Sequence, residues 1–443
     1  MTAASPAPRH EAQRRDQLPR TVRGNRLLGV DLARFVAIFG MFVIHFGAPF
    51  SGGFVEIGLA QASSGRATAL FTFLAGVSLA MLTGRRTPLT GAALRDARVR
   101  VAIRAVLLLI IGLALAKATD ATGFLLTVII PFYGVYFLLS LPFLGLGPRG
   151  TAIAAAILIV GGPQASYLLR SSLAGNNSVS VVVGAINSVD PGRLFADLGV
   201  LDLTLLDFYP AATYLALVLA GLAVGRLDLR SRAVRLRLGI WSVLAAVVTY
   251  TTSALLGLVA GPPPEVLTEG TVPIEHPQFL LAARPHSGSS FELLGSLGVA
   301  VAILVLCLEL ADRYERPLLP LIKAGTMALT LYALHALVMA WQIVTGGWPM
   351  SGVPETLDNL ASMGQAATWV PDLPAFPPDG HRPEGIVGLV NTYMSELFLV
   401  FSLMFATVWK RFFRRGPLEG AVSTAVNWCT DRLSSRSLHG SSV

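Results

Sequence analysis

Apolar residues in this chain come in long blocks, not in the short alternating or three-four periods of a soluble fold. Stretches of roughly 20 mostly apolar residues, the length a helix needs to cross a hydrocarbon core, cover Leu27–Gly47, Ala67–Thr83, Val101–Lys117, Gly123–Leu144, Thr151–Leu168, Phe208–Leu227, Leu238–Ala260, Phe291–Leu310, Leu321–Val344 and Val390–Trp409. The pattern predicts an all-α, polytopic membrane bundle of about ten transmembrane helices. An eleventh stays open, because Pro131 or Pro142 can break the fourth block and Val179–Ile186 is weakly apolar. Around the bundle (27–411) lie a basic tail (1–26), a C-terminal tail (412–443) and three long loops, 170–207, 261–290 and 345–388, the last two rich in Pro and Gly.

Composition agrees with lipid as the surrounding medium. Hydrophobic residues make up 53% of the chain and charged ones 14%, with mean hydropathy +0.63, where a soluble domain carries about a quarter charged. The net charge of +8 raises the question of nucleic acid, but the basic residues sit in short blocks between apolar stretches, so no nucleic-acid partner is expected. Those blocks set orientation instead. With both termini cytoplasmic, the inner face receives the N-terminal arginines, Arg85–Arg104, Arg226–Arg237, Arg313–Lys323 and Lys410–Arg415, while Arg66, Lys117, Arg170, Arg193, Arg284 and Arg382 fall outside. The three long loops are then external, the N-terminus is retained, and the expected location is the plasma membrane as a multi-pass protein. Arginines 95, 98, 100 and 104 in the segment after Gly84 predict a helix lying against anionic headgroups. Cys307 and Cys429 are not spaced for a disulfide framework or metal cluster, so no metal is expected. No nucleotide-binding loop or Gly-x-Ser-x-Gly elbow occurs, and no internal repeat of the transporter kind is visible.

Ionisable residues inside spans are costly and are functional candidates by default. Asp31 and Arg34, three residues apart, share a helix face and can pair, either as an interfacial ion pair or as a polar entrance for a donor. His45 lies eleven residues further, about 16 Å along the helix axis. In the outer half of the membrane it either bonds a neighbouring helix or takes a proton from an attacking hydroxyl or amine. Arg66, at the outer end of the second block, either snorkels to the interface or holds an anion. The run Ala283-Arg284-Pro285-His286-Ser287-Gly288, followed by Glu292, sets a histidine, a hydroxyl and free backbone N–H groups where a helix begins; these suit an anion or oxyanion, or simply a cap at Ser287. His335 reads chiefly as a buried hydrogen-bonding imidazole, and Glu396, with Asn391, as an interhelical contact. Trp348 and Trp369 suit a sugar or the membrane interface.

Several segments, in order, resemble one superfamily. Gly29-Val30-Asp31-Leu32-Ala33-Arg34 followed by Met41-Phe42-Val43-Ile44-His45 resembles the opening helix of heparan-α-glucosaminide N-acetyltransferase and the bacterial YeiB-like proteins. Gly65-Arg66-Ala67 with Leu70-Phe71-Thr72-Phe73-Leu74-Ala75-Gly76 is similar to their second helix, and Tyr209-Pro210 through Gly225-Arg226 to a later one. Gly325-Thr326-Met327-Ala328-Leu329-Thr330-Leu331-Tyr332 and Gly416-Pro417-Leu418-Glu419 are similar to the YeiB-like C-terminal region.

The resemblance implies transfer of an acetyl or other acyl group from acyl-CoA bound on the cytoplasmic side to an amine or hydroxyl of an extracytoplasmic glycan, glycolipid or cell-envelope precursor. Acetyl-CoA is then the donor, Arg34 and nearby inner arginines hold its phosphates, and a homodimer is left open. The animal enzyme has asparagine where this chain has His45, and its catalytic histidine falls about eleven residues later, at a position an ungapped count gives to Glu56. His45, Glu56 and His286 therefore all remain candidates for the general base, with Asp31, Arg34, Arg66, Arg284, Ser287, Glu292 and His335 as candidate binding residues. The competing reading is a transporter or flippase for a lipid-linked or anionic solute, motivated by the buried Asp31, Arg34, His45 and His335; a non-catalytic scaffold of envelope assembly is a third.

Overall fold

The computed structural model describes residues 26–50, 54–120, 127–175, 177–264, 266, 268, 270–345 and 385–439. The described residues are helical, without strands. In chain order the helices are α1 (Leu28–Phe46), α2 (Phe54–Ser63), α3 (Arg66–Leu82), α4 (Gly91–Asp120), α5 (Ile130–Ser140, extended by a 3-10 turn to Gly145), α6 (Pro148–Ala174), α7 (Ser178–Ser188), α8 (Pro191–Ala196), α9 (Ala211–Gly225), α10 (Arg232–Ala260), α11 (Ser290–Arg313), α12 (Glu315–Gly325), α13 (Ala328–Val344), α14 (Gly385–Thr392), α15 (Met394–Phe412) and α16 (Pro417–His439).

The described part of every predicted apolar block is mostly helical, but the blocks are not ten equal spans. Among the described residues, six helices are long and apolar enough to cross a membrane, and up to eight spans result if each bent pair counts as one. The pairs are α12–α13, bent by 64°, and α14–α15, bent by 75°. The fourth and sixth blocks give the shorter apolar helices Ile130–Gly145 and Ala211–Gly225. Proline explains both. Pro131 lies in the first turn of α5 and Pro142 opens its 3-10 continuation, while Pro210, extended, caps α9 and leaves Phe208 and Tyr209 outside the helix. A proline starts a helix readily but cannot be placed inside one without losing a hydrogen bond.

Two further expectations are corrected. The Arg-rich segment is not a separate surface helix: α4 begins at Gly91 and runs unbroken for 30 residues into the apolar block. Two of its arginines bond protein, Arg98 Nε to the Leu141 carbonyl at 3.0 Å and Arg100 to the Asn427 side chain at 3.2 Å. The predicted loop 170–207 is largely helical, made of the end of α6 with α7 and α8. Asn177 caps α7 with a reciprocal Ser180 box, and Asp190 caps α8. Most of the loop 345–388, with Trp348, Trp369 and Arg382, lies outside the described residues, as does the basic tail up to residue 25. The C-terminal segment is not a free tail but the helix α16, which packs on α4 and α13.

The core is built from α1, α3, α9 and α11, which pack against one another. Two thirds of the apolar window of α1 is buried, against 6% for α10. Since α10 is mostly apolar and mostly uncovered, its outward face is the one that lipid would solvate. One close crossing is α3 on α9. A Cβ on Gly76 would overlap the Val218 carbonyl oxygen, and one on Gly221 the Phe73 carbonyl oxygen. Backbones this close are the packing that membrane helices use when apolar burial alone gives no drive to associate.

Candidate functional site

At one end of the bundle, Asp31 is buried at 3% exposure and accepts from Arg34 Nη1 and from Arg26 Nε, both at 2.7 Å. The pairing expected from the three-residue spacing is present. Arg34 also donates to Ser78 on α3 at 2.7 Å, which aims the guanidinium across the helix pair. It thereby reaches a cavity of about 260 Å³ whose polar lining includes Arg34, Ser78, Arg104, Tyr133, Tyr332 and Glu419. Arg104, from the middle of α4, has no carboxylate partner among the described residues. It lies near enough to Arg34 and Arg415 to feel their charge. Two guanidiniums line this cavity with one carboxylate, Glu419, whose oxygens are engaged by α13, so the arginines make an anion-attracting mouth.

Glu419, from α16, holds the start of α13. It accepts from the Leu329 and Thr330 backbone N–H groups at 2.8 and 3.1 Å and from the Thr330 hydroxyl at 2.6 Å. These N–H groups are orphans of a helix start, and the carboxylate satisfies them from a different helix. The cavity mouth is therefore framed by α1, α4, α13 and α16.

The floor of the cavity is aromatic. Phe71 lies edge-on to Tyr133 at 5.5 Å and stacked on Tyr332 at 6.4 Å. Tyr133 shares a hydrogen bond with Thr72, and Tyr332 accepts from the Ile129 N–H at 3.0 Å. One turn beyond Tyr332 is His335, fully buried. Its Nε2 is 2.7 Å from His45 Nδ1, with the two rings stacked at 4.9 Å. Phe42, Phe46 and Tyr332 pack on the His335 ring. The structure thus joins two residues read separately from sequence, and makes each the other's interhelical partner.

His286 is on the loop before α11, and its charge and that of His45 are near enough to interact. The residue adopts φ +57°, a conformation costing about 1–2 kcal/mol outside glycine. The surrounding loop holds it there. Gly270 N–H donates to the His286 carbonyl at 2.7 Å, and the His286 N–H donates to Glu292 at 3.3 Å. Gly288 also donates to Glu292, at 2.9 Å, and its own positive φ and close approach to Gly270 leave no space for a Cβ. The imidazole packs on Phe208 and Tyr209 at 4.9 and 5.9 Å. Its Nδ1 is buried without a partner among the described residues. Burial holds this imidazole at about 4, below its ordinary value.

The N–H groups expected to be free for an oxyanion are thus taken, those of His286 and Gly288 by Glu292 and that of Ser287 by the Arg284 carbonyl. The cap is also elsewhere: Ser289, not Ser287, accepts from the Glu292 N–H at 3.0 Å. Ser287 is buried and donates to the Ala282 carbonyl at 3.2 Å. Arg66 donates to the Tyr250 hydroxyl at 3.1 Å and to the Gln61 carbonyl at 2.8 Å, and Gly65 before it packs on Pro285. Arg284 donates to the Pro264 carbonyl and lies over Phe279. Both arginines are therefore tied to protein, Arg66 within electrostatic reach of Glu292. Beside them a groove of about 510 Å³ runs between the end of α10 and residues 278–284, with Tyr250 and Arg284 in its wall. Glu56 lies on α2, whose backbone is described, but its side chain lies outside the described residues. Glu396 accepts from the Phe50 N–H at 3.0 Å and from Ser395, a tie to the segment after α1.

Sequence reading missed Arg104, Glu419 and the tyrosines 133, 209 and 332. By its place in the basic block Arg104 reads as one more surface arginine, and tyrosine inside an apolar block raises no charge signal. Among the described residues no group of histidine, cysteine and carboxylate side chains is placed to hold a metal ion, and both cysteines are free.

Residues 27–355 match the family model described as an acyltransferase domain, a match that takes in α1 to α13 and both histidines of the pair. No curated protein matches the chain.

Proposed function

The chain belongs to this acyltransferase family, and from that premise we propose that it transfers an acyl group, acetyl first among the candidates, from cytoplasmic acyl-CoA to a hydroxyl or amine of an extracytoplasmic glycan, glycolipid or cell-envelope precursor. The observation that carries this reading is the line of polar groups through the bundle. It starts at Arg34 and Arg104, passes Tyr133 and Tyr332 along one cavity, and ends at the His45–His335 pair. A volume of about 260 Å³ suits a narrow pantetheine arm with its thioester, while the nucleotide and its phosphates stay outside against the arginines. The groove beside Tyr250 and Arg284 gives a separate approach for the acceptor. This use of the arginine end places the termini in the cytoplasm, in line with the basic-residue asymmetry.

In the proposed reaction the acceptor oxygen or nitrogen attacks the thioester carbonyl carbon as its proton passes to His45. The tetrahedral intermediate collapses with cleavage of the carbon–sulfur bond. The departing CoA thiolate takes the proton back from the imidazolium, leaving acylated acceptor and free CoA. His45 is favoured over His286 as base because it is held by His335, which packs on Tyr332 of the cavity wall, whereas the His286 ring is packed on Phe208 and Tyr209. The finer likeness to the heparan-α-glucosaminide N-acetyltransferase and YeiB-like branch fits this donor and direction.

The test is release of free thiol from acetyl-CoA by the purified full chain in detergent. His45→Ala is expected to lower turnover by about 10²–10⁴-fold while the protein stays folded. Turnover unchanged in that variant would remove His45 from the reaction.

A further inference from the structure

The hydrogen bonds around His335 fix which nitrogen of His45 is free. His335 Nδ1 is 3.1 Å from the Tyr332 carbonyl oxygen. A carbonyl only accepts, so this Nδ1 carries hydrogen, and in a neutral imidazole Nε2 is then the acceptor. The partner of that Nε2, at 2.7 Å, is His45 Nδ1, which must be the donor. Hydrogen on His45 Nδ1 leaves the His45 lone pair on Nε2, the nitrogen facing away from His335. The surroundings favour neutrality of His335, since it is fully buried and enclosed by the rings of Phe42, Phe46 and Tyr332. A doubly protonated His335 would instead donate from Nε2 and make His45 Nδ1 the acceptor, a charged state that full burial disfavours.

We propose that His335 is a positioning residue whose Nε2 holds His45 in the Nδ1–H tautomer, so that His45 Nε2 is the nitrogen that receives the acceptor's proton. This rests on the reading of His45 as the base. His335 needs no contact with substrate for it. When Nε2 of His45 is protonated, the imidazolium keeps its Nδ1–H bond to His335, now a charge-assisted one, so the partner steadies the charged form as well as the ring orientation. The Tyr332 carbonyl orients His335 in turn. The chain of control is Tyr332 carbonyl, His335, His45, with α13 supplying the first two and α1 the third. A base left without such a partner divides between two tautomers, and one of them presents N–H, not a lone pair, to the acceptor.

Two measurements on the full chain test this. The first is ¹⁵N NMR of histidine-labelled protein in detergent, with the His45 signals assigned by difference from His45→Ala. Wild type is expected to carry hydrogen on His45 Nδ1, and His335→Leu to move hydrogen towards Nε2. The second is acetyl-CoA turnover. His335→Leu is expected to lower kcat by about 10²–10⁴-fold, the upper figure being the cost of a wrong tautomer in the serine-protease triad, with the donor KM changed less than about threefold. His335→Gln, whose amide oxygen can accept where Nε2 did, is expected to return kcat to within about tenfold of wild type. Hydrogen found on His45 Nε2 in wild type overturns the proposal. So does a glutamine variant no better than leucine when both are folded by thermal melting. Full turnover in His45→Ala would instead defeat the reading of His45 as base, while the NMR result still decides whether His335 sets the tautomer.

Discussion

Burial of a neutral imidazole makes the loop at His286 sensitive to acid. With its value depressed to about 4, the folded protein binds this proton less readily than the unfolded chain, whose histidines titrate near 6.5. The stabilising contribution is therefore complete above pH 6.5 and is lost progressively as pH falls from 6.5 towards 4, then changes no further. His286→Asn is expected to flatten that part of the melting-temperature profile, measured by thermal unfolding in detergent from pH 7.5 to 4; an unaltered slope would show that the loop does not sense pH through this ring. A second residue-scale prediction concerns the cap of α11. Ser289→Ala removes the acceptor for the Glu292 N–H and is expected to cost about 1 kcal/mol, whereas Ser287→Ala leaves that bond untouched; denaturant titration of the two variants separates them. At this scale the Asp31–Arg34 pair was legible, because a three-residue spacing decides who meets whom on a helix. The His45–His335 bond was not, because its partners are 290 positions apart and nothing local in either helix specifies the other. The serine assignment shifted by two residues for a related reason: helix onset depends on the strained His286-Ser287-Gly288 turn, and a short run of polar residues does not announce which one becomes the cap.

Helix contacts set where those side chains point. The α3–α9 crossing depends on glycine at two facing positions, so Gly221→Leu is expected to force the backbones apart and lower the thermal midpoint strongly, with recovery of folded protein as the readout. Gly257→Leu, on the outer helix α10 with open space around its Cα, is expected to have little effect, and equal effects would contradict the assignment of the core. The second element-scale prediction is for α16. Glu419→Ala uncaps α13 and is expected to cost about 1 kcal/mol and to loosen the mouth of the cavity, raising the KM for acetyl-CoA more than it lowers kcat. The apolar blocks were readable as helix because length and hydropathy determine them. The breaks were harder to read: α12–α13 and α14–α15 look continuous by hydropathy yet bend, and the polar α16 carries too little apolar character to stand out from a tail. Its place comes from docking on α4 and α13, a tertiary fact.

Across the whole molecule the proposed reaction uses two separate openings, a cavity with arginines at its mouth and a groove beside the uncovered helix α10. The all-helical membrane architecture and the acyltransferase family were both accessible from the order of the blocks and motifs. The number of crossings was not, since short buried helices such as α9 have the composition of a span without its length. The claim that binds these parts together is that the thioester is consumed from the arginine-lined end and that its acyl group leaves by way of His45. Proteoliposomes with radiolabelled acetyl-CoA supplied to one face at a time test it most directly. Thioester consumption is predicted only when acetyl-CoA is on the face bearing Arg34 and Arg104, with loss of consumption in His45→Ala and a raised KM in Arg104→Ala. A folded wild-type protein that neither binds nor cleaves acetyl-CoA from either face, or that cleaves it equally in His45→Ala, would contradict the account.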